Sequence, residues 1–422
     1  MKKIILLFSI FISFLPVALR AEEILLTPDE AVALCLRENR DVLLRAEDIK
    51  KAKAKLAEAN AGLFPSVTAS FTWQDVRGLY DKDLPEKESH IGAKQYFYQG
   101  GRVINTIRYS QQGIEVARAL LDKTKIETAL NVRRSFYTLL LAVEFSRLNS
   151  EILKNTKGHL RYLEERYKSG EASESDILQI KQSLAAIEDA YETSLNQADA
   201  SEALLKSLLF LDEKVKIIPA ARFEYTPEEV AYDEGLLKAM KSRPEIRQFE
   251  AQEKQSKYAI EIAKADGRPS IYASWDYYSS STTVLTFSPS RAWQDYNIIG
   301  VTFSWPIFDG WATKAKVEQA IVDLKEAQLL KEKTVKDIAT ELKEAYLGMK
   351  DAISGIRASE ADILRFQDNL SVVKEKNKAG IASYLDLDDA RLKYNVSQFN
   401  QQQAVYDYIV AKATFEKATG GL

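Results

Sequence analysis

The side chains able to do chemistry are few. The chain of 422 residues carries one cysteine and two histidines. Cys35 lies among apolar neighbours in Ala33-Leu34-Cys35-Leu36, where core packing is its expected role. His90 and His159 are isolated, as ordinary surface or interface residues are. One cysteine permits no internal disulfide, and so few Cys and His residues cannot build a His/Cys metal cage. The sequence has no nucleophile–base constellation, phosphate loop or metal motif, so no catalytic residue, cofactor or enzyme activity is expected. With 58 basic and 61 acidic side chains the formal charge is −3, which gives no electrostatic case for nucleic acid. The carboxylates remain. Asp386 and Asp389 stand three apart at the start of a helical segment and share a face. In a ring of copies they would form two stacked rings of carboxylates, able to select cations and bind a divalent ion. Acids that merely complement a helix dipole are the competing reading, and Asp388 leaves open which acids would face an axis.

These acids follow a tip that occurs twice, Tyr167-Lys168-Ser169-Gly170-Glu171-Ala172-Ser173-Glu174-Ser175-Asp176 and Asn377-Lys378-Ala379-Gly380-Ile381-Ala382-Ser383-Tyr384-Leu385-Asp386. Gly170 and Gly380 suit the left-handed position that ends a helix. Ser173 and Ser383 suit the next N-cap, with Asp176 and Asp386 in the capping-box position. Well-made turns explain these residues completely without any further role.

The tips belong to a duplication. At an offset of 204, Ala61-Gly62-Leu63-Phe64-Pro65-Ser66 matches Ala265-Asp266-Gly267-Arg268-Pro269-Ser270. At an offset of 210, Tyr98-Gln99-Gly100 matches Phe308-Asp309-Gly310. The six extra residues imply outer loops at Val76–Ser89 and Ser279–Asp295. The expected organisation is a signal peptide over 1–21, a first repeat over 22–212, a linker over 213–231 and a second repeat over 232–422. Lys2 and Lys3, an apolar core and Ala21 carry the export signal. Each repeat reads helix, strand, loop, strand, long helix, turn, helix. The first helices are expected over Pro28–Ala61 and Tyr232–Ala265. Residues 86–218 and 307–422 lack proline, which permits very long helices. Val335, Ile338, Leu342, Ala345, Met349, Ala352, Ile356, Ser359, Ile363, Phe366, Leu370 and Val373 form a heptad seam.

The strands alternate. Val67, Ala69, Phe71 and Trp73 share one face, and the second copy places Ile271, Ala273, Trp275 and Tyr277 at the same positions. The return strands place Ile299, Val301, Phe303, Trp305 and Ile307, and more weakly Ile91, Ala93, Gln95 and Phe97, on one face. Apolar-out, polar-in strands in an exported chain suit an outer-membrane barrel whose wall faces lipid. A soluble antiparallel sheet is the plainer reading of any one hairpin. Four strands cannot close a barrel, and open edges are forbidden in lipid, so several chains must share one.

In these residues the chain resembles the TolC-like outer membrane efflux protein family. The resemblance is carried by Leu26-Thr27-Pro28-Asp29-Glu30-Ala31, Gly62-Leu63-Phe64-Pro65-Ser66 and its copy, Trp305-Pro306-Ile307-Phe308-Asp309-Gly310 and the duplicated tips. It implies a mostly α fold with a β-barrel part: a homotrimer with a twelve-stranded barrel in the outer membrane, continued by a periplasmic α-helical barrel. It implies an exit duct docked to a periplasmic adaptor and an inner-membrane pump, in efflux or type I secretion. It further implies that Gly170, Ser173, Asp176, Gly380 and Ser383 mark the adaptor-docking tips, and that Asp386 and Asp389 form the periplasmic gate. Tyr96-Phe97-Tyr98-Gln99-Gly100 departs from the family in lacking a proline before the first long helix. The alternatives are a periplasmic adaptor, which would carry one hairpin inside β-domains, and a structural coiled-coil protein, which leaves the strand pattern unexplained.

Overall fold

The computed structural model describes residues 23–79, 82–228, 230–282 and 293–421. The expected signal peptide lies outside the described residues, as does the centre of the second outer loop with Pro289. The elements in order are β1 (Glu23–Leu26), α1 (Pro28–Glu38), α2 (Arg40–Ala61), β2 (Ser66–Leu79), β3 (Lys82–Gln99), α3 (Arg102–Lys168), α4 (Glu174–Leu209), β4 (Lys216–Pro219), α5 (Tyr232–Ser242), α6 (Pro244–Lys264), β5 (Ser270–Thr282), β6 (Gln294–Ser304), α7 (Ala312–Lys378) and α8 (Tyr384–Ala418). A short 3-10 turn, Ala265–Gly267, follows α6.

The helix expected over 28–61 is two helices. Thr27 and Glu30 close a capping box at the start of α1: Glu30 N–H donates to Thr27 Oγ1 at 3.3 Å, and Thr27 N–H to Glu30 Oε2 at 2.9 Å. The break comes at Asn39, whose Oδ1 accepts from the N–H groups of Asp41 and Val42 and so starts a second helix. The helix expected over 232–265 is also divided. Pro244 has no N–H and crowds the preceding turn, so Arg243 is extended, with ψ 124°.

The chain forms two compact units. One comprises the residues up to Cys35 and Val132–Phe223. Its core is Leu26, Ala31, Cys35, Val132, Phe136, Leu139, Leu205, Leu209 and Ile217. Cys35 is fully buried there, as expected, and its Sγ donates to the Leu208 carbonyl at 3.1 Å. β1 and β4 pair in parallel, Glu23 opposite Lys216 through Leu26 opposite Pro219, and place Leu26 and Ile217 in that core. Sequence reading did not anticipate this pair.

The other unit comprises Leu36–Asn131 and Glu224–Leu422. It contains an antiparallel sheet in the order β2-β3-β5-β6. Ser66 stands opposite Lys94, and the residues 204 and 210 further along, Ser270 and Ser304, stand opposite each other. The two hairpins thus share one register. The strands run further than expected: much of the anticipated loop 76–89 is β2 and β3, and Pro85 stands opposite Asp75. β3 pairs with β5 only from Glu86 onward, so the missing proline N–H falls where that ladder has ended. Phe97 leaves the alternation because a bulge between Tyr96 and Tyr98 inserts one extra residue. Trp305 and Ile307 fall just beyond β6, since Pro306 cannot continue the ladder. α7 and α8 form an antiparallel hairpin. All twelve seam positions of α7 are buried or half-buried, with Leu342, Met349 and Ile356 essentially inaccessible. A helix of 67 residues such as α7 is about 100 Å long at 1.5 Å per residue.

Candidate functional site: the two-faced sheet and the helical tips

Directly opposite residues in a sheet share a face. One face therefore carries the row Val67, Ala93, Trp275 and Ile299, and below it the row Ala69, Ile91, Tyr277 and Asn297. Ala273 with Val301 and Ile271 with Phe303 extend the same face. The sequence-derived wall residues thus come together on one side, apart from Phe97 at the bulge and Trp305 and Ile307 past the strand end. Val67, Phe71, Ile299 and Val301 are 69%, 66%, 80% and 73% exposed. So large an uncovered apolar surface marks an interaction with lipid or another chain.

The opposite face is polar and aromatic. Thr68, Gly92, Asp276 and, as an aliphatic exception, Ile298 form one row there, and Ser70, His90, Tyr278 and Tyr296 the next. His90, expected to be isolated, stands on β3 and contacts two residues of β5. Its Nε2 lies 2.9 Å from Asp276 Oδ1. Its ring stacks on Tyr278 at 4.4 Å, and Tyr278 stacks on Tyr296 at 5.1 Å. Gly92 makes this possible, because a Cβ there would stand 2.7 Å from Asp276 Oδ1. Lys94 Nζ lies 3.8 Å from the centre of the Tyr272 ring and 4.7 Å from that of Tyr96. The clue in the sequence was the two-residue period that puts these positions on one face. The pairing across 186 residues was not readable. His159 is buried within α3.

At the tips, Gly170 and Gly380 have φ of +78° and +72°, the left-handed turn expected of them. Ser173 and Ser383 cap α4 and α8, each in a complete capping box with Asp176 and Asp386. Ser383 Oγ donates to Asp386 Oδ2 at 2.7 Å and Ser383 N–H at 2.9 Å. The serine hydroxyl and then the backbone N–H hold the Asp386 carboxyl below its ordinary range, and Asp176 is held likewise by Ser173. Asp389 lies one turn on and accepts from Lys393 Nζ at 2.7 Å. Both acids are exposed, while Leu387 and Ala390 are the buried residues of this turn.

Segment 224–228 is held to the second helical hairpin by tyrosines. Tyr408 OH donates to the Thr226 carbonyl at 2.7 Å, and Tyr225 OH to Glu360 Oε1 at 2.5 Å. Among the described residues no helix is long and apolar enough to cross a membrane. The sheet has a bare apolar face that lipid could cover.

A sheet with one apolar and one polar face, joined to long antiparallel helical hairpins, defines an outer-membrane channel subunit. The chain belongs to the outer membrane efflux protein family, whose profile matches residues 32–209 and 236–421. It is 23% identical over 402 residues to the probable outer membrane lipoprotein SilC of Salmonella typhimurium, covering 90% of this chain and 82% of that one. It is 22% identical over 431 residues to the alkaline protease secretion protein AprF of Pseudomonas aeruginosa, covering 94% and 87%. The fold is similar to the Campylobacter jejuni CmeC outer membrane channel, with a TM-score of 0.80, 18% identity and 93% and 85% coverage. It is also similar to the open state of the Neisseria gonorrhoeae MtrE outer membrane channel, with a TM-score of 0.77, 17% identity and 93% and 89% coverage. The protein is an exit duct located in the outer membrane and reaching into the periplasm.

Proposed function

We propose that three copies of this chain share a twelve-stranded barrel, and that their helical hairpins continue it as a periplasmic tube. The observation that carries this reading is the sheet itself. Among the described residues β2 and β6 each pair on one side only, while the apolar face between them lies bare. In lipid such edges must be paired. Eight strands from two copies would fill their own interior, whereas twelve leave a lumen. The apolar face from Val67 to Phe303 then faces lipid, and the face of His90, Asp276 and Lys94 lines the lumen. Residues 1–21 act as a cleaved export signal, and the two repeats, 22–212 and 232–422, are joined by the linker 213–231.

In this reading the tips at Gly170, Ser173, Asp176, Gly380 and Ser383 meet a periplasmic adaptor, which connects the duct to an inner-membrane pump. Asp386 and Asp389 close the periplasmic end as stacked carboxylate rings. The duct is a passive conduit and not an enzyme, in tripartite efflux or in type I secretion; AprF is by its name a protein of alkaline protease secretion. Bilayer recordings test the gate. Asp386→Asn together with Asp389→Asn should raise conductance and abolish block by divalent cations. Unchanged conductance and block would reject the gate.

A further inference from the structure

The turn from β3 into α3 uses Gly100 and Gly101, with φ of +61° and +85°. A Cβ on Gly100 would stand 2.8 Å from both the Ala265 carbonyl oxygen and Arg268 Cβ. The first repeat's turn is therefore seated directly on the α6–β5 junction of the second repeat. Two charged contacts close over it. Arg268 Nη1 donates to the Gly100 carbonyl at 3.0 Å, and Arg102 pairs with Asp266.

The second repeat presents the same turn with nothing beneath it. Gly310 and Trp311 have φ of +67° and +70°, and no atom lies within 4 Å of a Cβ built on Gly310. Trp311 holds a left-handed conformation that strains an L-residue with a side chain, at the position where the first copy has glycine. It is 68% exposed, and it meets Phe308, itself 74% exposed, edge to face at 6.0 Å. The junction equivalent to Ala265–Arg268 is Ala61–Phe64, and it too is apolar and bare, with Phe64 69% exposed.

The substitutions between the two copies match across the contact. Arg102 is replaced by Ala312 and its partner Asp266 by Gly62, while Arg268 is replaced by Phe64 and Gly101 by Trp311. The charges that clamp the internal seam disappear from both sides together, and aromatic surface takes their place. We propose that the Phe308–Trp311 turn of one protomer seats on the Leu63–Phe64 junction of a second copy of this chain. This repeats between chains the contact that Gly100 makes within one. The strand edges agree with it. The β3–β5 register, carried over by the two offsets, sets Ser304 opposite Ser70 and Thr302 opposite Thr72 of the neighbouring copy. Phe303 then lies beside Phe71 and Val301 beside Trp73 on the apolar face. The strain at Trp311 is retained because its ring completes the seam.

This inference rests on the reading that several chains share one barrel, and disulfide trapping of the full chain in outer membranes separates the two. Cys35 is buried and serves as a constant background. Phe64→Cys with Trp311→Cys, and Ser70→Cys with Ser304→Cys, should each give chain-to-chain covalent oligomers on oxidation. The single variants, and Gln74→Cys with Ser304→Cys, should not. Trapping at Ser70–Ser304 without trapping at Phe64–Trp311 overturns the seam but leaves the shared barrel, and quenching of Trp311 fluorescence by brominated phospholipid would then assign that ring to lipid. Trapping of the Gln74 pair in place of the Ser70 pair overturns the register. Failure of every pair, with only monomers after amine crosslinking, overturns the shared barrel as well. Trp311→Gly, which relieves the backbone, should insert normally yet lose the SDS-resistant oligomer, and Trp311→Phe should keep it. An SDS-resistant Trp311→Gly oligomer would also overturn the seam.

Discussion

Arg243 is buried, and only a fully partnered guanidinium is tolerated in such a place. Its Nε donates to Glu245 at 3.0 Å, its Nη2 to Glu341 at 2.7 Å, and its Nη1 to the Lys417 carbonyl at 3.1 Å. The last bond is a second one to a carbonyl at the end of α8, which also accepts from the Gly420 N–H at 3.0 Å. Gly420 lets the chain pass close by, since a Cβ there would stand 2.9 Å from the Ser242 carbonyl carbon. Arg243→Ala strands the carboxylates and should cost about 3 kcal/mol, read as a lower thermal midpoint of the helical circular dichroism signal. The sequence did not show this network, because Glu341 and Lys417 lie 98 and 174 residues away.

The same cluster sets a pH dependence. Burial alone would raise the Glu341 carboxyl, but hydrogen bonds from Lys417 and Arg243 and their charges hold it below its ordinary value. Its proton affinity is therefore lower folded than unfolded. The stabilisation is complete above about pH 4.5 and is lost as pH falls through the lower folded value. Thermal midpoints should drop on acidification below that point, and Glu341→Gln should make the drop shallower. An identical slope in the two proteins would sink the assignment.

At the scale of elements, the tips would combine two roles in one residue. Asp386 closes a capping box, and in the proposed gate it also offers the carboxylate. Ser383→Ala removes the cap acceptor and should cost about 1 kcal/mol of local helix stability. Amide exchange over the first turn of α8 should then speed up about fivefold, since each such increment shifts an opening equilibrium by that factor. Asp386→Asn keeps an acceptor and removes the charge, so it should alter ion block with little change in exchange. If both variants change exchange equally and neither alters block, the acid serves the helix alone. These caps were legible because the pattern spans four residues. The α7 seam was legible because a heptad repeats along a single segment. β1 and β4 were not, being four residues each and pairing across a long separation. The breaks at Asn39 and Arg243 were hidden inside helix-forming stretches, where one capping side chain or one proline outweighs the surrounding propensity.

At the scale of the whole molecule, the sidedness of the sheet decides how the chain can exist. Its two faces differ by one residue along each strand, because the side-chain period is two. That made the apolar face readable from alternation alone. The polar face's internal contacts were not readable, since His90, Asp276 and Tyr296 meet only once three strands are in register. Adjacent positions on β6 therefore offer a sharp comparison. Val301 lies on the apolar face beside Ala273, and Thr302 on the polar face beside Tyr272. Arginine at a lipid-facing site near the bilayer midplane costs about 2–4 kcal/mol, while a lumen-facing one meets water. Val301→Arg should deplete folded protein from the outer-membrane fraction and abolish its resistance to SDS at room temperature. Thr302→Arg should insert at normal levels and shift ion selectivity toward anions in bilayer recordings. A sheet that merely covered a soluble core would give another result, with Val301→Arg unfolding the chain in the periplasm and Thr302→Arg lacking any effect on conductance. If the two variants accumulate equally in the outer membrane, neither face can be the one in lipid, and the barrel must be drawn differently.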